Sequence, residues 1–179
     1  MRIKFVTGNE LKFAEMAAII PSVEQVDIDL PELQEVDPQK IIEEKLRVAL
    51  THVEPPIMVE DTSLYLAAMN GLPGPFIKWF LQCLTPAGVY DISQRGGDTN
   101  AWARTVIGVA VSKTDIQYFD GEVHGIVVPP RGDEFGWNSI FQPNGHTRTF
   151  GEMSDKERLQ VSMRRIAAEK VAAAFRLNP

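Results

Sequence analysis

Apolar and polar positions follow two rhythms along the chain. Ile3 to Val6 is a short apolar run that predicts a buried strand. Thr7-Gly8-Asn9 breaks it, and Glu10 to Ile20 places Leu11, Met16, Ile19 and Ile20 at helical spacing. Pro21 ends that helix. Val23 to Leu30 alternates as a strand does, with Val26 and Ile28 on one face and Asp27 and Asp29 on the other. Pro31 to Val36 is a loop carrying Glu32 and Glu35. Asp37-Pro38 opens a second helix with an acidic N-cap and an early proline. It is expected to run to about His52 on a stripe of Ile42, Leu46 and Ala49. Ile57-Met58-Val59 predicts a short buried strand that delivers Glu60, Asp61, Thr62 and Ser63 at its end.

A rigid turn follows, Gly71-Leu72-Pro73-Gly74-Pro75, then Phe76-Ile77-Lys78-Trp79-Phe80, apolar around one lysine. Pro86 to Ser93 predicts a short helix and Arg95-Gly96-Gly97-Asp98 a turn. Ala103 to Ser112 and Ile116 to Val128 are the longest strand candidates, joined as a hairpin through Lys113-Thr114-Asp115. Ser154 followed by Glu157 is a capping box for a last helix expected to reach about Phe175. Strands alternate with helices early and pair as hairpins late. The expectation is a mixed α/β sheet in a single domain over residues 1–179.

Composition narrows the function. At 179 residues the chain can bury a substantial core, and 44% hydrophobic with 23% charged residues is ordinary globular composition. A net charge of -6 argues against a nucleic-acid surface, but not against a small polyanion held in a local basic pocket. The chain shows no signal-peptide pattern and no apolar run of membrane-spanning length. A soluble cytoplasmic protein is expected. The single cysteine, Cys83, excludes an internal disulfide, and its neighbours Phe80, Leu81 and Leu84 predict a buried thiol. His52, His124 and His146 are scattered without metal-ligand spacing.

Candidate chemistry lies in three places. Strand, Thr7-Gly8-Asn9, then a helix with Lys12 in its first turn is a layout that binds phosphate, because a helix N-terminus offers unpaired N–H groups. On that turn alone the blander reading is the stronger one, with Asn9 as an N-cap and Lys12 as a solvated lysine. Glu32, Glu60 and Asp61 are carboxylates suited to Mg2+, which keeps several waters and bridges to substrate phosphates. Adjacent strand residues point to opposite faces, so Glu60 and Asp61 need not enter one site. Lys45 and Lys78 join Lys12 as cations able to surround a triphosphate, or are snorkelling lysines. Phe135-Gly136-Trp137 offers faces for stacking a base, or is core.

In this order the pieces resemble the inosine triphosphate pyrophosphatase family. Thr7-Gly8-Asn9 with Lys12 is similar to its N-terminal motif, and Asp29-Leu30-Pro31-Glu32 to its metal-binding loop. The blocks Val59 to Leu64, Gly71 to Pro75 and Ile77 to Phe80 resemble its central part. Phe135-Gly136-Trp137, Phe141-Gln142-Pro143 and Thr149 to Met153 resemble its C-terminal part. The resemblance implies Mg2+-dependent hydrolysis of nonstandard purine nucleoside triphosphates (ITP, dITP, XTP) to monophosphate and pyrophosphate. It implies an elongated mixed sheet in two lobes with the nucleotide in a cleft, and a homodimer. Carried over by motif, Thr7, Gly8, Asn9, Lys12, Lys45 and Thr62 hold the phosphates. Glu32 and Asp61 hold the metal, Asp61 also serves the attacking water, and Lys78 neutralises phosphate charge. Phe135, Gly136 and Trp137 frame the base.

The departures fall where the base is read. Asn138 stands where the family has aspartate after Phe-Gly-Trp. In the last helix Arg158 stands for a lysine and Met163 for a histidine, while Ser162 and Arg164 are kept. These changes swap hydrogen-bond donors and acceptors, the strong means of discrimination, so altered base specificity is one expectation. Met163 as a member of an apolar stripe with Leu159 and Ile166 is the other. Two further readings stay open, a catalytically weak nucleotide-binding or sensing protein on the same fold and a septum-formation-inhibitor-type pyrophosphatase. The retained acids and lysines argue against the first, and the Phe-Gly-Trp and Gly-Leu-Pro-Gly-Pro blocks against the second.

Overall fold

The strand that starts at Ile57 does not stop at Val59. A computed structural model describes residues 2–133 and 135–177, and in it this strand is ten residues long. The elements run β1 Lys4–Val6, α1 Glu10–Ala17, β2 Glu24–Val26, α2 Pro38–Ala49, β3 Ile57–Leu66, β4 Pro73–Gly74 and α3 Ile77–Arg95. They continue with β5 Asn100–Ala110, β6 Ile116–Val127, β7 Phe141–Pro143, α4 Asp155–Val161 and α5 Met163–Phe175. The sheet has seven strands in the order β2-β1-β3-β5-β6-β7, with β4 paired to β3. β1 is parallel to β2 and β3, whereas β3–β4 and β6–β7 are antiparallel. The expected mixed α/β sheet is therefore present.

The chain forms two compact units, Met1–Asp61 with Thr105–Gly121 and Met163–Pro179, and Thr62–Arg104 with Glu122–Ser162. In the first unit the period of two decides which helix each strand residue meets. Phe5, Met58, Ile107 and Val109 pack with Met16 of α1 and Ala167, Ala168 and Val171 of α5. Their strand neighbours Val6, Ile57, Val59, Val106 and Ala110 pack with Ile42, Leu46 and Ala49 of α2. Val26, Ile28 and Leu30 join the α2 core, so the expected apolar face of residues 23–30 is present although only Glu24–Val26 pairs as strand. In the second unit Trp137, Phe141 and Phe150 form an aromatic cluster, with Phe141 and Phe150 centroids 5.1 Å apart. Tyr65 and Trp102 stack there at 5.3 Å with planes 3° apart.

Three local expectations are corrected. The helix expected over 86–93 begins at Ile77 and is kinked, because Pro86 disfavours helical backbone at the residue before it. Thr85 accordingly takes φ 61° and ψ 168°. Cys83 is exposed, not buried. Apolar neighbours in sequence surround a helix on every side and do not fix its buried face. Between Ile77 and the kink only Ile77 is buried, and Trp79 and Leu84 are exposed with the thiol. The last helix is two helices. Both halves of the Ser154–Glu157 capping box form, but Ser162 is extended at φ -81° and ψ 147° and separates α4 from α5.

Helices approach the sheet closely over two glycines. A Cβ on Gly108 would stand 2.3 Å from Ile42 Cγ2, and one on Gly121 would stand 2.1 Å from the Met163 carbonyl oxygen. The second obstacle is backbone and cannot rotate away. Gly121→Ala is expected to destabilise the fold by about 2 kcal/mol through overpacking against α5, measured by urea denaturation. A stability within about 0.5 kcal/mol of the parent contradicts that packing.

Candidate active site

The turn after β1 is tied by its own side chains. The Asn9 N–H donates to Thr7 Oγ1 at 3.1 Å, and Asn9 Oδ1 accepts from the Lys12 N–H at 3.1 Å. Asn9 is therefore the N-cap of α1, as its residue type favours. Gly8 is exposed beside it. Lys12 is not a solvated lysine, because its Nζ lies 2.8 Å from Glu60 Oε1.

Glu60 is the most deeply placed charge of this region, its side chain 2% exposed. A carboxylate inside a strand of Ile, Met, Val and Leu is tolerated only when cations reach it. Two do. Arg164 of α5 meets it fork to fork, Nε to Oε2 at 2.6 Å and Nη2 to Oε1 at 3.1 Å, and Lys12 of α1 adds a third contact. Arg164 Nη1 also donates to Glu15 Oε2 on α1. Burial pushes the Glu60 carboxyl up, but Arg164 and Lys12 outweigh it and hold it far below the usual carboxylate range. Burial pushes Arg164 down, and Glu60 and then Glu15 more than reverse this, so its pKa is raised.

Asp61 points away from that cluster, as the period of two requires. Its Oδ1 accepts from Lys45 Nζ of α2 at 2.8 Å, and the same ammonium donates to the Glu60 carbonyl oxygen at 3.1 Å. The Asp61 side chain is 19% exposed, far more than Glu60. Consecutive carboxylates thus face opposite layers, each with a lysine from the helix covering it.

The remaining candidates are placed as follows. Glu32 lies on the exposed loop before α2, its carbonyl accepting from Gln34 Nε2 at 3.0 Å. Thr62 follows Asp61 on β3 and is half-buried. Lys78, in the first turn of α3, is exposed with Nζ 5.6 Å over the Trp79 ring. Phe135 is exposed and Gly136 takes φ 60°, whereas Trp137 is buried against Phe141 and Phe150. Asn138 is half-buried and begins a short turn of helix after Trp137. Arg158 donates to Asp155 on the same helix at 2.8 Å. Met163 is buried as the first residue of α5, next to Arg164. Among the described residues no group of three His, Cys, Asp or Glu is placed to hold a metal ion, and no helix is long and apolar enough to cross a membrane.

Sequence reasoning missed Glu15 and offered Glu60 only as a candidate carboxylate for Mg2+, not as the partner of Lys12 and Arg164. Two signals pointed to them. Glu15 stands three residues after Lys12 on one helix face. Glu60 interrupts a buried apolar run and so demands cationic partners. Nothing local pointed to Arg164 as one of those partners, since it is 104 positions away.

The site belongs to a mixed α/β protein whose central strand pairs a buried and a half-buried carboxylate with lysines, beside a capped helix N-terminus. The Ham1 family model matches residues 3–174. Over 174 residues the chain is 44% identical to an inosine triphosphate pyrophosphatase of Schizosaccharomyces pombe, covering 94% of this chain and 92% of that one. The chain belongs to the Ham1 family. Its fold is also that of two solved structures, each covered over 98% of both chains. One is a HAM1 protein from Coxiella burnetii, with a TM-score of 0.83 at 22% identity. The other is the Staphylococcus aureus Ham1 protein, with a TM-score of 0.77 at 21% identity.

The Glu60 cluster makes stability depend on pH with a defined sign. A carboxyl depressed by folding binds protons more weakly folded than unfolded, so its stabilisation is complete above its ordinary value of 4.5 and is lost as the pH falls below it. Thermal denaturation from pH 7 to pH 3 is expected to show a steep loss of stability below that value. Glu60→Gln should flatten the loss, and an unchanged slope would show that other groups carry it.

Proposed function

We propose that this chain is a nucleoside triphosphate pyrophosphatase that hydrolyses nonstandard purine nucleotides, ITP, dITP and XTP, to the monophosphate and pyrophosphate, with base selectivity altered from its relatives. The observation that carries the activity is the S. pombe inosine triphosphate pyrophosphatase, 44% identical over nearly the whole of both chains. The altered selectivity rests on Asn138, Arg158 and Met163. The reading includes removal of such nucleotides from the cytoplasmic pool and a homodimeric assembly.

Cleaving an anhydride between phosphates asks for positioning and charge neutralisation more than for a covalent nucleophile. In this reading Lys12 and the α1 N-terminus with Thr7, Gly8 and Asn9 receive phosphate oxygens, Lys45 and Thr62 add contacts, and Lys78 neutralises charge. Asp61 orients or deprotonates the water that breaks the α–β anhydride. The Lys45 ammonium fixes the orientation of that carboxylate. In this reading Phe135 is the exposed aromatic face for a base, with Gly136 and the buried Trp137 following it in the chain. Glu15 and Glu60 hold Arg164, which restricts how it meets a base.

The donor chemistry suits Mg2+. Asp61 is a hard oxygen ligand that remains partly exposed, whereas Glu60 is engaged by two cations. Mg2+ binds through one or two carboxylates and completes its shell with water and phosphate, so no protein cage is required. Asp61 and Glu32 would hold it, and when bound it would screen phosphate charge and acidify water.

A panel of nucleoside triphosphates with Mg2+, read by pyrophosphate release, tests the proposal. Release from ITP, dITP or XTP well above that from ATP and GTP is expected. Asp61→Asn should reduce kcat by at least about a hundredfold while retaining nucleotide binding. Nucleotide binding without release from any triphosphate would favour the catalytically weak binding protein. Equal, fast turnover of ITP and XTP with rejection of ATP and GTP would remove the altered selectivity.

A further inference from the structure

Glu60 has two cationic partners that are not equivalent. Lys12 reaches it through one contact of 2.8 Å on a flexible stem and is 29% exposed. Arg164 reaches it through two contacts, is 9% exposed, and is pinned again by Glu15. An ammonium is a mobile point charge, whereas a guanidinium fork is preorganised for a carboxylate. The pairing is therefore lopsided, with a fixed buried partner and a labile one nearer solvent.

We infer that Glu60 is a positioning residue that holds Lys12 in place, and that Arg164 is the standing counter-ion that allows Lys12 to turn to a phosphate. The inference rests on the reading of Lys12 as a phosphate ligand. A buried carboxylate that loses its only cation opposes the loss strongly, because the charge is left unpaired away from water. With Arg164 in place, Lys12 turns to an incoming polyphosphate and Glu60 stays bidentately paired. Without Arg164, Lys12 is the cation left to Glu60 among the described residues, and the carboxylate competes with the phosphate for it. Arg164 thus acts on phosphate affinity through Glu60 and Lys12 without touching the phosphate.

The test uses inorganic tripolyphosphate, which has no base, so a role of Arg164 in base recognition drops out. Binding is measured by calorimetry for the parent, Lys12→Gln, Glu60→Gln, Arg164→Met and the Glu60→Gln/Arg164→Met double variant. Lys12→Gln is expected to weaken binding about tenfold, and Arg164→Met by a similar factor. The double variant should return to within about threefold of the parent, since removing the buried charge releases Lys12. Removing the unpaired charge also relieves structural damage, so the folded fraction of every variant is measured beside its affinity. Loss and recovery of binding at a temperature where all variants are fully folded is expected, and binding that tracks the folded fraction overturns the inference. A double variant as weak as Arg164→Met overturns the inference, as does parent-like binding by Arg164→Met. Should Arg164→Met not fold, Glu60→Gln decides, with parent-like or tighter binding expected and about tenfold weaker binding overturning it. Parent-like binding by Lys12→Gln overturns the phosphate role of Lys12 and the inference with it. Failure of every nucleotide to release pyrophosphate overturns the enzymatic reading alone, because the tripolyphosphate comparison still stands.

Discussion

A carboxylate buried in the middle of a strand constrains everything packed around it. Glu60 is viable only because Lys12 arrives from α1 and Arg164 from α5, so the placement of both helices on that layer is coupled to one side chain of β3. Glu15 extends the coupling by binding Arg164 from the same helix that carries Lys12. Two cations and two carboxylates then balance in charge across three elements. Such a cluster adds little net stability over an apolar core of equal volume. Its worth is geometric, in fixing where the lysine of a capped helix N-terminus sits relative to the next residue of the strand, Asp61.

The strand's alternation distributes the chemistry. Met58 and Glu60 face α1 and α5, while Ile57, Val59 and Asp61 face α2. Each carboxylate meets a lysine from the helix covering its own layer, but the environments differ. Glu60 is shut away with a bidentate arginine, and Asp61 keeps contact with solvent beside Lys45. Two adjacent residues of one type have thus been assigned different work by burial. The shielded one suits organising cations, and the half-exposed one suits meeting a metal, a water or a phosphate.

Much of this was legible beforehand, and what was not has a physical reason. The opposite facing of Glu60 and Asp61 follows from the period of two, and the N-cap roles of Asn9, Asp37 and Ser154 follow from residue type. The length of β3 was misjudged because Glu60 to Ser63 reads locally as a polar strand end. Among the cations that make those positions tolerable in a strand, Lys45 is 16 positions from Asp61 and Arg164 is 104 positions from Glu60. Cys83 was misplaced because its apolar neighbours encircle a helix whose buried side is set elsewhere. The break at Ser162 was hidden by a run of good helix formers, and it matters because it makes Met163 and Arg164 the opening residues of a new helix.

That break changes how the departures from the family pattern are weighed. In one continuous helix Met163 would share a stripe with Leu159 and Ile166, and its identity would be a matter of packing. At the head of α5 its carbonyl oxygen lies close over Gly121, where no side chain fits, and its neighbour Arg164 is held by Glu60 and Glu15. The backbone at position 163 is therefore fixed by contacts that do not involve its side chain. The Met163 side chain is itself buried, so a histidine there would need a hydrogen-bond partner in the same buried setting. Arg158 differs in kind, being tied to Asp155 within its own helix. Of the three departures, Met163 is the buried one, so a change there alters chemistry and packing together.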